Sequence, residues 1–108
     1  MIIEVELHAF MKGQIRRVTI PEEVWNESDD LDIRLEAVYR FGQNELAMKQ
    51  DLKQKLSSIS VGDVIRTPDI RRFLVKPFGF EEISKDFIPP HDGGLWAYGL
   101  GSNRELQC

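Results

Sequence analysis

His91 and Asp92 stand next to each other in this chain, the pair of types that a general base and its orienting carboxylate would use. No nucleophile can be identified beside them, and a His-Asp neighbour pair in a loop arises readily without chemistry. His91 is kept as a candidate binding residue, and no residue is assigned a catalytic role. His8 falls on the polar side of an alternating stretch, where a surface position opposite Arg17 is expected. A metal centre would need three or four ligands at tight spacing, and no such set is visible, so neither a metal nor a cofactor is expected. The single cysteine, Cys108, permits no disulfide within the chain and favours a reducing compartment. Arg16-Arg17 and Arg71-Arg72 read as solvated charge pairs beside turns, too short to make a nucleic-acid patch.

Trp96 and Tyr98 are the other candidate binding residues. Spaced by two and flanked by glycines, they would share one side of an extended segment and form a contact patch. The competing and more economical reading is a lid over the domain's own core. Gly99-Leu100-Gly101-Ser102 is no phosphate loop, because the strand before, the helix after and the Gly-Lys-Ser/Thr continuation are missing. Lys76-Pro77-Phe78-Gly79-Phe80 is similar to the aromatic strand of RNA-recognition motifs. Proline replaces its first glycine, however, and Glu81-Glu82 places negative charge where phosphate would lie.

The elements that must position these residues are legible as patterns. Ile3, Val5, Leu7 and Ala9 alternate with polar neighbours, a strand period of two. A two-residue turn at Lys12-Gly13 would pair this strand with residues 15–20, setting Leu7 against Val18 and Val5 against Ile20. Glu6, His8, Arg17 and Thr19 would then occupy the opposite face. Pro21-Glu22-Glu23 suits a short helical turn anchored by Val24 and Trp25. Leu31, Leu35, Val38 and Tyr39 form one helical stripe stopped by Gly42, a main helix over residues 30–41. Residues 48–56 fit either a second helix or a solvated insertion. A second strand pair spans residues 63–76 around Thr67-Pro68-Asp69, apolar on both faces and therefore internal. Gly62-Asp63 before it reads as a tight turn needing positive φ, with Phe78, Phe80 and Ile83 continuing the core beyond.

Composition sets the remaining bounds. With 42% apolar and 30% charged residues the chain is ordinary for a globular protein, and 108 residues make one domain. Residues 84–108 read as its loop-rich C-terminal extension. A net charge of −4 argues against a general nucleic-acid binder. The opening Met1-Ile2-Ile3-Glu4-Val5-Glu6 is unlike a signal peptide, and no apolar run would span a bilayer, so a cytoplasmic protein without membrane contact is expected.

Three stretches carry a likeness to a known group. Leu35-Glu36-Ala37-Val38-Tyr39-Arg40-Phe41-Gly42-Gln43-Asn44, Ser58-Ile59-Ser60-Val61-Gly62-Asp63-Val64-Ile65, and Arg72-Phe73-Leu74-Val75 with Gly79-Phe80-Glu81-Glu82-Ile83 resemble the YodL-like group of small bacterial domains. The resemblance covers roughly residues 35–83. It implies an accessory protein of a mobile element or its bacterial host, and it brings no catalytic residues with it. Val-Gly-Asp-Val-Ile is also similar to a turn of small RNA-binding barrels of the PUA-like kind, whose basic cleft residues are not evident here.

The fold expected is α+β: an antiparallel sheet of a barrel-like kind, with an N-terminal hairpin and one main helix packed on it. The function expected is a non-enzymatic protein-interaction module. The alternatives are a nucleic-acid-associated domain and, with less support, an enzyme using His91 and Asp92.

Overall fold

A computed structural model of the chain describes residues 1–43 and 58–98. Five strands form one antiparallel sheet: β1 (Ile2–Leu7), β2 (Gln14–Thr19), β3 (Val64–Arg66), β4 (Arg72–Val75) and β5 (Phe80–Ile83), in the order β2-β1-β3-β4-β5. Among the described residues β2 and β5 are free edges, so the sheet is open. Two helices, α1 (Glu22–Trp25) and α2 (Leu31–Phe41), connect β2 towards β3. Neither is long and apolar enough to cross a membrane.

The N-terminal hairpin forms with a register that differs from the expected one. Ile3 faces Val18 and Val5 faces Arg16, a displacement of four residues from a two-residue turn at Lys12-Gly13. The connection is instead a loop over residues 8–13, closed by the Gly13 N–H donating to the Leu7 carbonyl at 2.7 Å. Asp63 is the reason. Its carboxylate accepts from the His8 and Ala9 N–H groups at 2.8 and 2.9 Å and draws the chain away from β2. A shift by an even number preserves the side-chain faces, so Ile3, Val5, Leu7, Val18 and Ile20 still line one buried surface.

Helix α2 covers that surface. Asp30 caps its start, accepting from the Asp32 and Ile33 N–H groups at 2.9 and 3.3 Å, and Gly42 ends it. Leu35 and Val38 face Ile3, Leu7, Ile65 and Phe73, with Trp25 from α1 and Ile59 closing the cluster. The expected core residues Leu7, Val18, Leu35 and Phe73 are all buried.

The opposite face of the sheet is divided. Val64 and Leu74 are covered by Trp96 and Ala97, with the Phe87 ring tilted against Trp96 at 5.1 Å between ring centroids. Residues 84–98 thus contain no strand or helix yet form a third layer over half of this face. Gly94 carries this segment across the Gly62-Asp63 turn, and a Cβ at Gly94 would overlap the Val61 carbonyl oxygen. Gly62 takes φ +102, as the turn demanded, but Gly94 is equally committed at φ +86. Phe78 departs from its expected place in the core: it is 96% exposed at the tip of the β4–β5 hairpin, whereas Phe80 packs inward. The possible helix over residues 48–56 lies outside the described residues, as do Cys108 and Gly99 to Ser102.

Candidate functional site

The other half of the second face is an open cleft of about 900 Å³. Its floor is built by strand alternation, which sends Glu4 and Glu6 of β1 and the side chains of Arg66 and Arg72 to the same side. Arg66 and Arg72 are direct cross-strand partners. Like charges opposed in this way destabilise a ladder unless an anion lies between them, and Glu6 is that anion. Arg72 grips it as a fork, Nη2 to Oε1 at 2.7 Å and Nε to Oε2 at 2.9 Å. Arg66 Nε donates to Oε2 at 2.7 Å, and His8 Nε2 lies 2.8 Å from Oε1. Burial works to raise the Glu6 carboxyl, but these hydrogen bonds outweigh it and hold the group well below the usual carboxylate range.

Further bonds tie this cluster to the walls. Arg72 Nη1 donates to the carbonyls of Ser84 and Phe87, each at 2.7 Å, and so fastens the C-terminal layer to the floor. Asp63, through its hold on His8 and Ala9 and a third bond from the Ser60 N–H at 2.8 Å, fixes the exit of β1. Burial pushes the Asp63 carboxyl up, against the three backbone donors. The turn aspartate read from sequence thus has a second duty: it sets where His8 sits.

His91 lines the same cleft. Its Nδ1 is 3.0 Å from the His8 carbonyl and 2.9 Å from that of Met11. Carbonyls only accept, so Nδ1 is the donor to both. Asp92 turns elsewhere, accepting from the Gly94 and Trp96 N–H groups, both at 3.0 Å. The two side chains do not form a base and its orienting carboxylate.

Trp96, Tyr98 and His91 are not brought together as one patch. Trp96 is 4% exposed and belongs to the second core, while Tyr98 is half exposed on a coiled turn whose N–H donates to the Gly94 carbonyl. His8 is buried on Glu6 rather than at the surface opposite Arg17. Arg72, expected to be solvated, is the most engaged cation of the cleft.

The mouth differs from the floor. Lys12 and Lys85 are exposed, and among the described residues neither has a carboxylate within ion-pair distance. Arg71 is bound as a fork to Glu82, at 2.9 and 3.1 Å. Ile70 and Ile88 stand at the mouth as well, 91% and 74% exposed. Ile70 has φ +66, the left-handed region, which costs a residue with a Cβ roughly 1–2 kcal/mol and is most unusual for a branched one. Five residues, 67–71, connect β3 to β4, and the Thr67 N–H donates to the Arg71 carbonyl at 2.9 Å. The three residues this bond encloses need that conformation at their last position, where glycine or asparagine is ordinary. The side chain recovers nothing by packing.

Among the described residues no Phe, Tyr or Trp lines this cleft, and no group of three or more His, Cys, Asp or Glu side chains could hold a metal ion. Comparison of the chain with family models, with curated proteins and with solved structures gave no match.

Proposed function

We propose that this chain is a non-enzymatic protein-interaction module, and that the cleft receives an acidic partner segment bearing aliphatic side chains. One observation carries the reading. The buried acid and base groups of the floor are consumed by one another, whereas the mouth presents uncommitted Lys12 and Lys85 beside exposed Ile70 and Ile88. A docking site needs a rigid floor and free anchors. The likeness of residues 35–83 to the YodL-like group supports an accessory role in a mobile element or its bacterial host.

A nucleic-acid-associated role would draw on the same cations. It has little to stack on: among the described residues no Phe, Tyr or Trp lines the cleft, the imidazoles of His8 and His91 are held by Glu6 and by backbone carbonyls, and Phe80 packs inward, away from Phe78.

A fluorescent peptide alternating glutamate with leucine is the direct probe, read by anisotropy at low salt, with a lysine–leucine peptide and a single-stranded oligonucleotide as competitors. The acidic peptide should bind, and Lys12→Glu with Lys85→Glu should weaken it by about tenfold or more. Binding indifferent to both lysines, or an oligonucleotide that binds more tightly, would overturn the reading.

A further inference from the structure

The acidic, aliphatic-bearing segment that the cleft calls for is present in the chain itself. Across α1 and the start of α2, Glu22, Glu23, Glu27, Asp29 and Asp32 are all exposed. Arg34 is the cation of that stretch, and it is occupied: its guanidinium lies 4.8 Å over the Trp25 ring, its Nε donates to the Trp25 carbonyl, and Nη2 approaches Asp29 at 3.6 Å. Ile33, in the first turn of α2, stands among these carboxylates and is 51% exposed. An acidic surface centred on an isoleucine therefore lies on one side of the molecule. A mouth carrying Lys12, Lys85, Ile70 and Ile88 lies on the other, because α2 covers the first face of the sheet and the cleft opens on the second.

We propose that the cleft's occupant is a second copy of this chain, which docks the acidic end of its α1–α2 region, with Ile33 as the apolar anchor, between the two lysines and the two isoleucines. This rests on the cleft being a docking surface for acidic segments, and it names the partner. The two surfaces differ and sit on opposite sides of the sheet, so the contact is heterologous and each copy can both give and receive. Assembly then runs head to tail, ending only at a ring or when the chains run out. The left-handed Ile70 acquires a reason: a branched apolar side chain is held in solvent, at a conformational cost, where the neighbour's Ile33 would cover it. Complementary charge brings the copies together and makes the association sensitive to salt.

Sedimentation velocity over a range of protein concentrations tests this. The parent should form larger species at low salt that dissociate as salt is added. Lys12→Gln with Lys85→Gln, which disables the cleft, and Asp29→Asn with Asp32→Asn, which disables the acidic end, should each sediment as single chains. Mixed in equal amounts, the two variants retain one good surface each and should give a discrete species of two chains and nothing larger. Ile70→Asn should lower association while raising the melting temperature of the single chain, a pair of opposite signs that simple damage to the fold cannot produce. A parent that stays a single chain at every concentration, or disabled variants that fail to complement, would overturn the proposal. If the glutamate–leucine peptide still bound in a Lys12- and Lys85-dependent way, the cleft would remain a docking surface and its partner would be a different protein.

Discussion

Glu6 is the residue on which the site depends most. Its carboxylate stands between two guanidinium groups that face each other across β3 and β4, and removing it would leave Arg72, with a side chain 11% exposed, beside Arg66, which would keep Glu4 at 3.4 Å. Loss of one partner from a buried ion cluster costs about 3–5 kcal/mol; Arg66 is partly solvated, so Glu6→Gln should fall near the lower end in denaturant unfolding. The pH dependence has a definite sign. The folded carboxyl sits well below its ordinary value of 4.5, so the unfolded chain takes up a proton first as the solution is acidified. The stabilisation is complete above that ordinary value and is lost as pH falls below it. Stability measured from neutral to strongly acid pH should therefore decline more steeply in the parent than in Glu6→Gln. Asp63→Ala should act differently, leaving the N–H groups of His8, Ala9 and Ser60 without their acceptor. Each such orphan costs about 1–3 kcal/mol, and a melt within a degree or two of the parent would show that water replaces the carboxylate.

Among the elements, those whose residues share one periodicity were legible: the alternation of β1 and β2, the stripe of α2, and the two-sided apolar pair β3–β4 with Val64 and Leu74 on one face and Ile65 and Phe73 on the other. The hairpin register was not, because Asp63, more than fifty residues away, holds the loop that a local turn rule would have closed early. The short strand β5 went unread, since Glu81 and Glu82 break its pattern at a sheet edge. The site was half legible. His91 stands out as a titratable group, but Glu6 reads as a polar-face residue of the hairpin and Arg72 as half of a solvated pair, and Arg66 carries no signal until the pairing of β1, β3 and β4 puts the three together. The facing of Arg66 and Arg72 across their loop was the one available signal, and it becomes visible only once the hairpin is assumed. The glycines teach the same lesson. Turn chemistry marks Gly62 as a constrained position, whereas Gly94 falls in the stretch that reads as loop-rich extension; yet both have positive φ and they meet, with Gly94 against the Val61 carbonyl. Gly94→Val should lower the denaturant midpoint at least as much as Gly62→Val, each by about 1–3 kcal/mol of backbone strain and more from overlap. Leu35→Ala in α2, a deletion in the first core, should cost about 2–5 kcal/mol.

At the scale of the molecule, three layers share one sheet, and the third both finishes the core and walls the cleft. Trp96 and Phe87 seal Val64 and Leu74, while Lys85, Ile88, Pro89 and His91 of the same segment face the open half. The carbonyls of Ser84 and Phe87 bind Arg72, whose other edge holds Glu6. Packing in the second core and geometry of the cleft are therefore one structure, and a defect in the first should be felt in the second. Trp96→Ala removes a ring 4% exposed and should cost about 3–5 kcal/mol in unfolding. It should also weaken the acidic peptide's hold on the folded protein, because the wall carrying Lys85 and Ile88 loses its support. Tyr98→Ala, at a ring 53% exposed and absent from the lining, should leave both quantities near those of the parent. Melting curves and peptide anisotropy on the two variants separate the possibilities. Affinity that survives Trp96→Ala while stability falls would mean that the wall stands without the core behind it, and affinity lost in Tyr98→Ala alone would move the docking surface to the outer side of this layer.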